Sequence, residues 1–336
     1  MTTLTFGIYP GGMLGDERGI IHPATPDSPE HIAAALAELQ GDARTLSVRA
    51  YRSFAATTTP ETVPTPADPH RYLGDGRTLD LVLQFREPSG ELDGWAEFVR
   101  DAVRTGGPHL ASVQICEEPN LDLPTVDGSR PNVLNALVQG VLAARQEADA
   151  LDHPVAVGFN AVPTFDPADT FWPDLGALTD TEPRFRPSLD YVGLDFFPDV
   201  FRPIPAGQLA AAVGAVLTGF RRTSLPQAGI PDTVPIRVCE NGWPTGPGRN
   251  EAQQAATLET VIRTVAASAA TLNVDGYSLF SLRDADSHAG GLFHHFGLLH
   301  DDYSPKPAFA TYRRLIHELG TATARQPSVH GGARTA

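Results

Sequence analysis

The chain has 336 residues, of which 41% are hydrophobic and 19% charged; this suits a sizeable core and excludes global disorder. Forty acidic against 25 basic residues give a formal charge of −15, which argues against nucleic acid or an anionic membrane as partner and favours a neutral or cationic small ligand. The sequence opens without a basic segment followed by a long apolar run. No stretch approaches the roughly 18 apolar residues of a spanning helix, so a soluble, cytoplasmic protein is expected. Two cysteines, Cys116 and Cys239, fit a reducing compartment as free thiols better than a disulfide scaffold.

Short runs rich in β-branched and aromatic residues alternate with stretches of helical period, the pattern of parallel strands joined by helices. The first run is 4–9. A helix is expected next, with Ser28 and Pro29 as cap and first turn and Ile32, Leu36 and Leu39 as its apolar stripe. The second run, 45–51, leads into a proline-rich segment hostile to helix, so a short helix or a long loop stands there before the third run, 79–85. Trp95, Phe98, Val99, Ala102 and Val103 mark the next helix, followed by the run 111–116. Val133, Leu134, Leu137, Val138 and Val141 make another stripe before the run 155–159. Runs 191–196, 236–239 and 276–280 follow. Leu258, Val261, Ile262 and Val265 lie between the last two, and Phe309, Tyr312, Leu315, Ile316 and Leu319 close the pattern.

Eight such units with no glycine-rich dinucleotide fingerprint after the first strand predict one closed (β/α)8 TIM barrel over 1–320. Residues 321–336, polar and rich in Gly and Ala, are expected to be a flexible tail.

In such a barrel the site forms where strands end and loops begin. Glu118, in Val-Gln-Ile-Cys-Glu-Glu-Pro-Asn, ends the fourth strand, and Glu240, in Ile-Arg-Val-Cys-Glu-Asn-Gly-Trp-Pro, ends the seventh. Two carboxyls about 5 to 5.5 Å apart are what retaining cleavage of a glycosidic bond requires. Tyr9, Tyr51, Gln84 and Asn160 close or nearly close their strands and are candidates for the cavity wall.

Glu118-Pro119-Asn120, Glu240-Asn241-Gly242-Trp243-Pro244 and a closing Phe-Ser-Leu-Arg-Asp followed by Phe-Gly-Leu and Ser-Pro-Lys-Pro-Ala resemble the clan A retaining glycoside hydrolases. The resemblance runs from Tyr9 to about Leu319 and implies a β-linked carbohydrate substrate, no cofactor, Glu118 as acid/base and Glu240 as nucleophile. It further implies that Arg49 hydrogen-bonds the nucleophile. Asp195 and Phe197 fall where many clan members have a polar residue and a tyrosine, and Phe280 falls where a tryptophan often floors the sugar site.

Three positions depart from the clan. Glu117 stands where asparagine usually donates to a substrate hydroxyl; an ionised glutamate only accepts, and a third carboxylate would repel acidic sugars. Phe197 lacks the hydroxyl that normally contacts the nucleophile. Phe280 keeps an apolar platform but loses area and an indole donor. These departures motivate the alternative of a catalytically impaired barrel that binds carbohydrate or another partner. A register shift by one would also put Glu117 rather than Glu118 in the cavity.

Trp243 and Trp172, in expected loops near the mouth, are candidate sugar platforms. His288, His294, His295 and His300 cluster after the eighth strand without a zinc-type spacing, so no metal is expected; Asp284 and Asp286 there are read as turn residues or substrate hydrogen-bonders. A serine hydrolase is disfavoured, since no Gly-x-Ser-x-Gly elbow occurs. Sugar identity, linkage and oligomeric state are not legible.

Overall fold

A computed structural model describes residues 3–41, 44–55, 59, 62–205 and 207–321. The eight expected runs become eight parallel strands, β1 (Thr5–Ile8), β4 (Leu46–Phe54), β5 (Arg77–Phe85), β6 (Leu110–Ile115), β7 (Ala156–Ala161), β8 (Tyr191–Asp195), β9 (Ile236–Asn241) and β10 (Val274–Leu279). Each pairs with its neighbours in chain order, and β10 pairs back to β1, so the sheet closes into a barrel. A small antiparallel hairpin, β2 (Leu14–Asp16) and β3 (Gly19–Ile21), interrupts the path from β1 to the first helix and stands beside the mouth of the barrel.

Helices α1 (Pro29–Gln40), α2 (Trp95–Thr105), α3 (Val133–Ala148), α4 (Phe171–Asp180), α5 (Leu209–Gly219), α6 (Leu225–Gln227), α7 (Glu251–Leu272) and α8 (Pro307–Leu319) fill the intervals. Their apolar stripes face the barrel as the spacing predicts: Ile32, Leu36 and Leu39 of α1 are buried, as are Val261, Ile262 and Val265 of α7. Each such side chain contributes about 1.5–3 kcal/mol by leaving water. Helix α7 begins in a capping box, with the Asn250 side chain accepting from the Gln253 amide and the reverse bond also present. Between β4 and β5 no α-helix forms among the described residues, and Pro69–Tyr72 make a 3-10 turn, which fits the expected short helix or long loop.

The floor of the barrel is fixed where the described chain returns to its beginning. Leu4 donates to Leu319, Thr321 donates to Leu4, and Thr45 donates to Thr321, at 3.0, 3.0 and 3.2 Å. Thr321 is therefore held by the barrel floor; the rest of the expected tail, residues 322–336, lies outside the described residues.

Inside the barrel, alternation places one residue in two toward the axis. On β4 and β5 these inward positions are partly polar: Arg49 and Tyr51 face inward, and Asp80 lies directly opposite Arg49 in the β4–β5 register. Gly193 of β8 leaves room for this layer, since a Cβ there would lie 2.7 Å from that of Asn160 and 2.8 Å from Cys239 Sγ. Both cysteines are buried and free. No helix among the described residues is long and apolar enough to cross a membrane.

Candidate active site

The carboxyl ends of the strands open into a cavity of about 1380 Å³. Tyr9, Tyr51, Glu117, Glu118, Asp195, Glu240 and Phe280 all line it. Glu118 and Glu240, far apart in sequence, thus share one cavity, each less than a tenth exposed.

Glu117 and Glu118 both reach the cavity, although neighbours on a strand point to opposite faces. The backbone breaks the alternation. Cys116 and Glu118 take left-handed conformations, φ 62° and 44°, which cost residues with a Cβ roughly 1–2 kcal/mol each. The turn is pinned from behind by Asp127, fully buried, whose Oδ2 accepts from the amides of Phe85 and Glu117 at 2.7 and 2.8 Å. From the side, Asn160 Oδ1 accepts from the Glu118 amide at 2.8 Å. The choice between registers dissolves, because both glutamates face the same space.

Arg49 stands at the centre of the polar layer. Its Nε lies 2.8 Å from the Tyr51 hydroxyl and 3.3 Å from Glu240 Oε1. Nη1 donates to Asp80 at 2.7 Å, and Nη2 to Gln114 at 2.8 Å and to Glu117 at 3.4 Å. The Tyr51 hydroxyl also donates to Glu240 Oε1. Two donors therefore converge on one oxygen of Glu240 and fix its orientation. Gln114 continues the network to Glu117 Oε2 at 2.7 Å, and Asn160 reaches both Glu117 and Asp195 through its amide nitrogen.

Asp80, Glu117, Glu118, Asp195 and Glu240, all buried, surround this guanidinium. Burial and then mutual repulsion, from Glu240 on Glu117 and from Asp195 and Glu240 on Glu118, raise both glutamates well above the usual carboxyl range. Asp195 is raised likewise, by burial first and then by Glu240. Protons remain on this cluster where isolated acids would have lost them. Burial alone would lower Arg49, but Tyr51, Asp80, Glu117 and Glu240 outweigh it and keep the guanidinium charged.

Tyr9 and Phe280 form the apolar wall, stacked at 5.2 Å and 7° between planes, with the Tyr9 hydroxyl 2.6 Å from Thr65 Oγ1. Phe197 meets Phe201 and Phe296 edge-on, and all three line the cavity. Gln84 also lines it and accepts from Ser53.

The two candidate tryptophan platforms sit elsewhere. Trp172 belongs to α4, not to a loop, and is buried between Phe159, Phe171 and Phe220. Trp243 is buried beneath the Arg249 guanidinium, its indole 3.3 Å from Asp199 Oδ2, and does not line the cavity. Both apolar faces are spent on the core, which is the physical reason neither is free for sugar.

The segment after β10 is built around an ion pair. Lys306 donates to Asp284 at 2.7 Å, the Gly297 amide donates to the same carboxyl, and His295 and His300 stand 4.0 and 3.9 Å away. Asp286 accepts from the amides of His288 and Ala289, as a turn residue does. Among the described residues, the acids close enough to hold a cation are instead Glu117, Glu118 and Asp195, whose ligand oxygens lie within 4.8 Å of one another.

No protein-family model matches the chain, and no curated protein matches it in sequence. Solved structures do. An apo β-glucosidase, 1317, is 17% identical with TM-score 0.57, over 86% of this chain and 87% of that one. A β-glucuronidase from Ruminococcus gnavus in complex with uronic deoxynojirimycin is 14% identical, TM-score 0.55, over 93% of this chain and 49% of that one. A Bacteroides uniformis β-glucuronidase is 13% identical, TM-score 0.56, over 93% of this chain and 35% of its own length. The closed (β/α)8 barrel is the fold these β-glycosidases share with the chain. At these identities the barrel is what is shared, and this chain spans about half or less of the glucuronidases.

Sequence reasoning placed Tyr51 on the wall without its bond to Glu240, and missed Asp80, Gln114 and Asp127. A signal for Asp80 and Gln114 existed: polar residues at alternate positions of otherwise apolar strands, Arg49 and Tyr51 on one, Asp80 on the next, Ser112 and Gln114 on the one after. Asp127 carries no such signal, since it acts from a loop turn.

Proposed function

We propose that the chain is a glycoside hydrolase that cleaves a β-linked sugar with retention, Glu240 attacking the anomeric carbon and Glu118 donating a proton to the leaving oxygen and later activating water. The observation that carries this reading is the division of labour between two carboxyls of one cavity. Glu240 is oriented by Arg49 and Tyr51, while Glu118 is kept protonated by burial and by Asp195 and Glu240. The glucosidase and glucuronidases that share the fold support the reaction class.

Tyr51 bears on the departure at Phe197. A hydroxyl reaches Glu240 from the second barrel strand, so an aromatic without one at 197 leaves the nucleophile with its donor. The wall also favours some sugars over others. Asp16, Glu17, Asp166, Asp169 and Asp199 join the four inner carboxyls, against one arginine among the described residues, Arg202, a lining that disfavours a uronate and suits a neutral or cationic sugar.

The test is a panel of aryl β-glycosides, repeated with Glu240→Ala and with Glu118→Ala plus azide. Turnover that Glu240→Ala abolishes, and that azide partly restores in Glu118→Ala with retained anomeric configuration, is the expected result. Turnover indifferent to Glu240 would overturn the nucleophile assignment.

A further inference from the structure

Among the described residues three large hydrophobic side chains are exposed, Val63, Phe165 and Phe201, at 46, 62 and 59%, and all three line the cavity that holds Glu118 and Glu240. Large apolar groups left in water at one opening mark a surface that binds something apolar. Phe201 is joined to the catalytic floor by other rings. Phe280, stacked on Tyr9, meets Phe296 at 6.2 Å; Phe296 meets Phe197 at 5.6 Å and Phe293 at 6.0 Å; these two meet Phe201 at 6.1 and 5.9 Å. All six rings line the cavity, so an unbroken aromatic wall runs outward to the surface. It starts beside the proposed nucleophile, since Tyr9 packs edge-on against Tyr51, which donates to Glu240.

This wall offers little to a polar ligand. Its five phenylalanines carry no polar atom, and the Tyr9 hydroxyl is engaged with Thr65. The carboxylates of the surrounding loops each give an oxygen to amides of their own turn: Asp16 to Arg18 and Gly19, Asp166 to Ala168, Asp169 to Phe171, Asp199 to Ile204. The Arg202 guanidinium lies over the Phe165 ring, 4.8 Å from its centre. At about 1380 Å³ the cavity is also larger than the roughly 300–1,000 Å³ of ordinary small-ligand sites, so it has room beyond one sugar.

We propose that the leaving group of the substrate is a long, uncharged apolar group, which lies along the wall from Phe280 to Phe201 while the sugar sits on the polar layer around Arg49. This rests on the glycosidase reading and adds the class of the aglycone. Glu240 bonds to the anomeric carbon as the bond from that carbon to the leaving oxygen breaks, the oxygen takes the proton of Glu118, and the product departs as an apolar alcohol. A second sugar in its place would set hydroxyls against rings that cannot bond them, and unpaired polar groups out of water are costly.

The experiment measures kcat/KM for ethyl, butyl, hexyl and octyl β-glucosides below their micelle concentrations, with cellobiose as the substrate whose leaving group is a sugar. A rise of roughly two- to fourfold per methylene is expected, carried mainly by KM, with octyl β-glucoside ahead of cellobiose. Phe201→Ser and Phe165→Ser should each flatten the series; both side chains are largely exposed, so neither change opens the core. A series flat in chain length, cellobiose cleaved as well as octyl β-glucoside, or a slope untouched by both substitutions would overturn the inference while leaving the glycosidase reading standing. Sedimentation velocity adds another way to fail: a dimer that Phe201→Ser dissociates would assign the exposed rings to a second copy of the chain. If no glucoside is cleaved, fluorescence of the uncharged dye N-phenyl-1-naphthylamine decides separately. Dye binding that octyl but not ethyl β-glucoside displaces, and that both substitutions weaken, keeps the apolar subsite and leaves the hydrolase to the aryl panel. Absence of such binding removes the inference.

Discussion

The Tyr51 hydroxyl donates to Oε1 of Glu240, and Arg49, two residues earlier on the same strand, touches both. Because residues two apart share a strand face, one strand supplies both groups that orient the proposed nucleophile. Tyr51→Phe should therefore lower kcat/KM by about 10- to 100-fold with little change in stability, since the ring keeps its edge contact with Tyr9. Steady-state kinetics and a thermal melt on the same preparation check both halves.

Arg49 is the positive charge that Asp80, Glu117 and Glu240 share. Arg49→Met leaves three buried carboxyls without it, and removing one partner of a buried pair costs about 3–5 kcal/mol. A fall of that order in the unfolding free energy from denaturant titration is expected, and Arg49→Met combined with Asp80→Asn should recover part of it. A double variant no more stable than the single one would show that the network is not electrostatic in origin.

Glu118 has to be protonated to act as acid, and burial together with Asp195 and Glu240 keeps it so above the ordinary carboxyl range. Activity should persist to correspondingly high pH and decline on the alkaline side as Glu118 loses its proton. Asp195→Asn removes a repelling charge, lowers the Glu118 pKa, and moves that alkaline limb to lower pH. The pH profile of kcat/KM for the two proteins reads the shift.

The same cluster sets how stability depends on pH. Glu117, Glu118, Asp195 and Asp127, the last pushed up to about 6 by burial despite Arg86, hold protons in the folded chain that the unfolded chain has released. The folded state binds more protons, so this contribution is fully present below the unfolded carboxyl pKa of about 4. It is lost as pH rises through the raised values. Glu117→Gln should flatten the dependence, with melting temperatures gaining more at about pH 8 than at about pH 5. Comparing variant with parent cancels the exposed carboxylates, which titrate alike in both.

Asp127 accepts from two buried amides and from Arg86, and thereby holds the left-handed turn that carries Glu118. Asp127→Ala strands those amides at about 1–3 kcal/mol each. A melting temperature lower by roughly 2–4 °C per kcal/mol is expected, together with a drop in kcat. Loss of stability with unchanged kcat would mean that the turn holds its shape without this residue.

Much of the barrel could be read from the chain because each strand and most helices carry their own period: Ile32, Leu36 and Leu39 say helix wherever they occur. The placements of Glu118 and Glu240 were legible for the same reason, since a strand end in this fold is a mouth position. What escaped depends on distant partners. Helices α4 and α5 have weaker stripes, and Trp172 reads equally as a loop aromatic until Phe159 and Phe220 close around it. The hairpin β2 and β3 is three residues a side, too short for alternation to be visible. The paired exposure of Glu117 and Glu118 came from backbone twist at Cys116 and Glu118, which no side-chain pattern announces.

The meeting of Leu4, Thr45 and Thr321 at the barrel floor has a practical sequel. With Leu4 and Thr321 hydrogen-bonded to each other, a short peptide could join the chain there and new termini be opened in a surface loop, giving a circular permutant with the same ring of strands. The seam would lie at the pole opposite the mouth, so an affinity handle or a fused partner placed there leaves the entrance unobstructed.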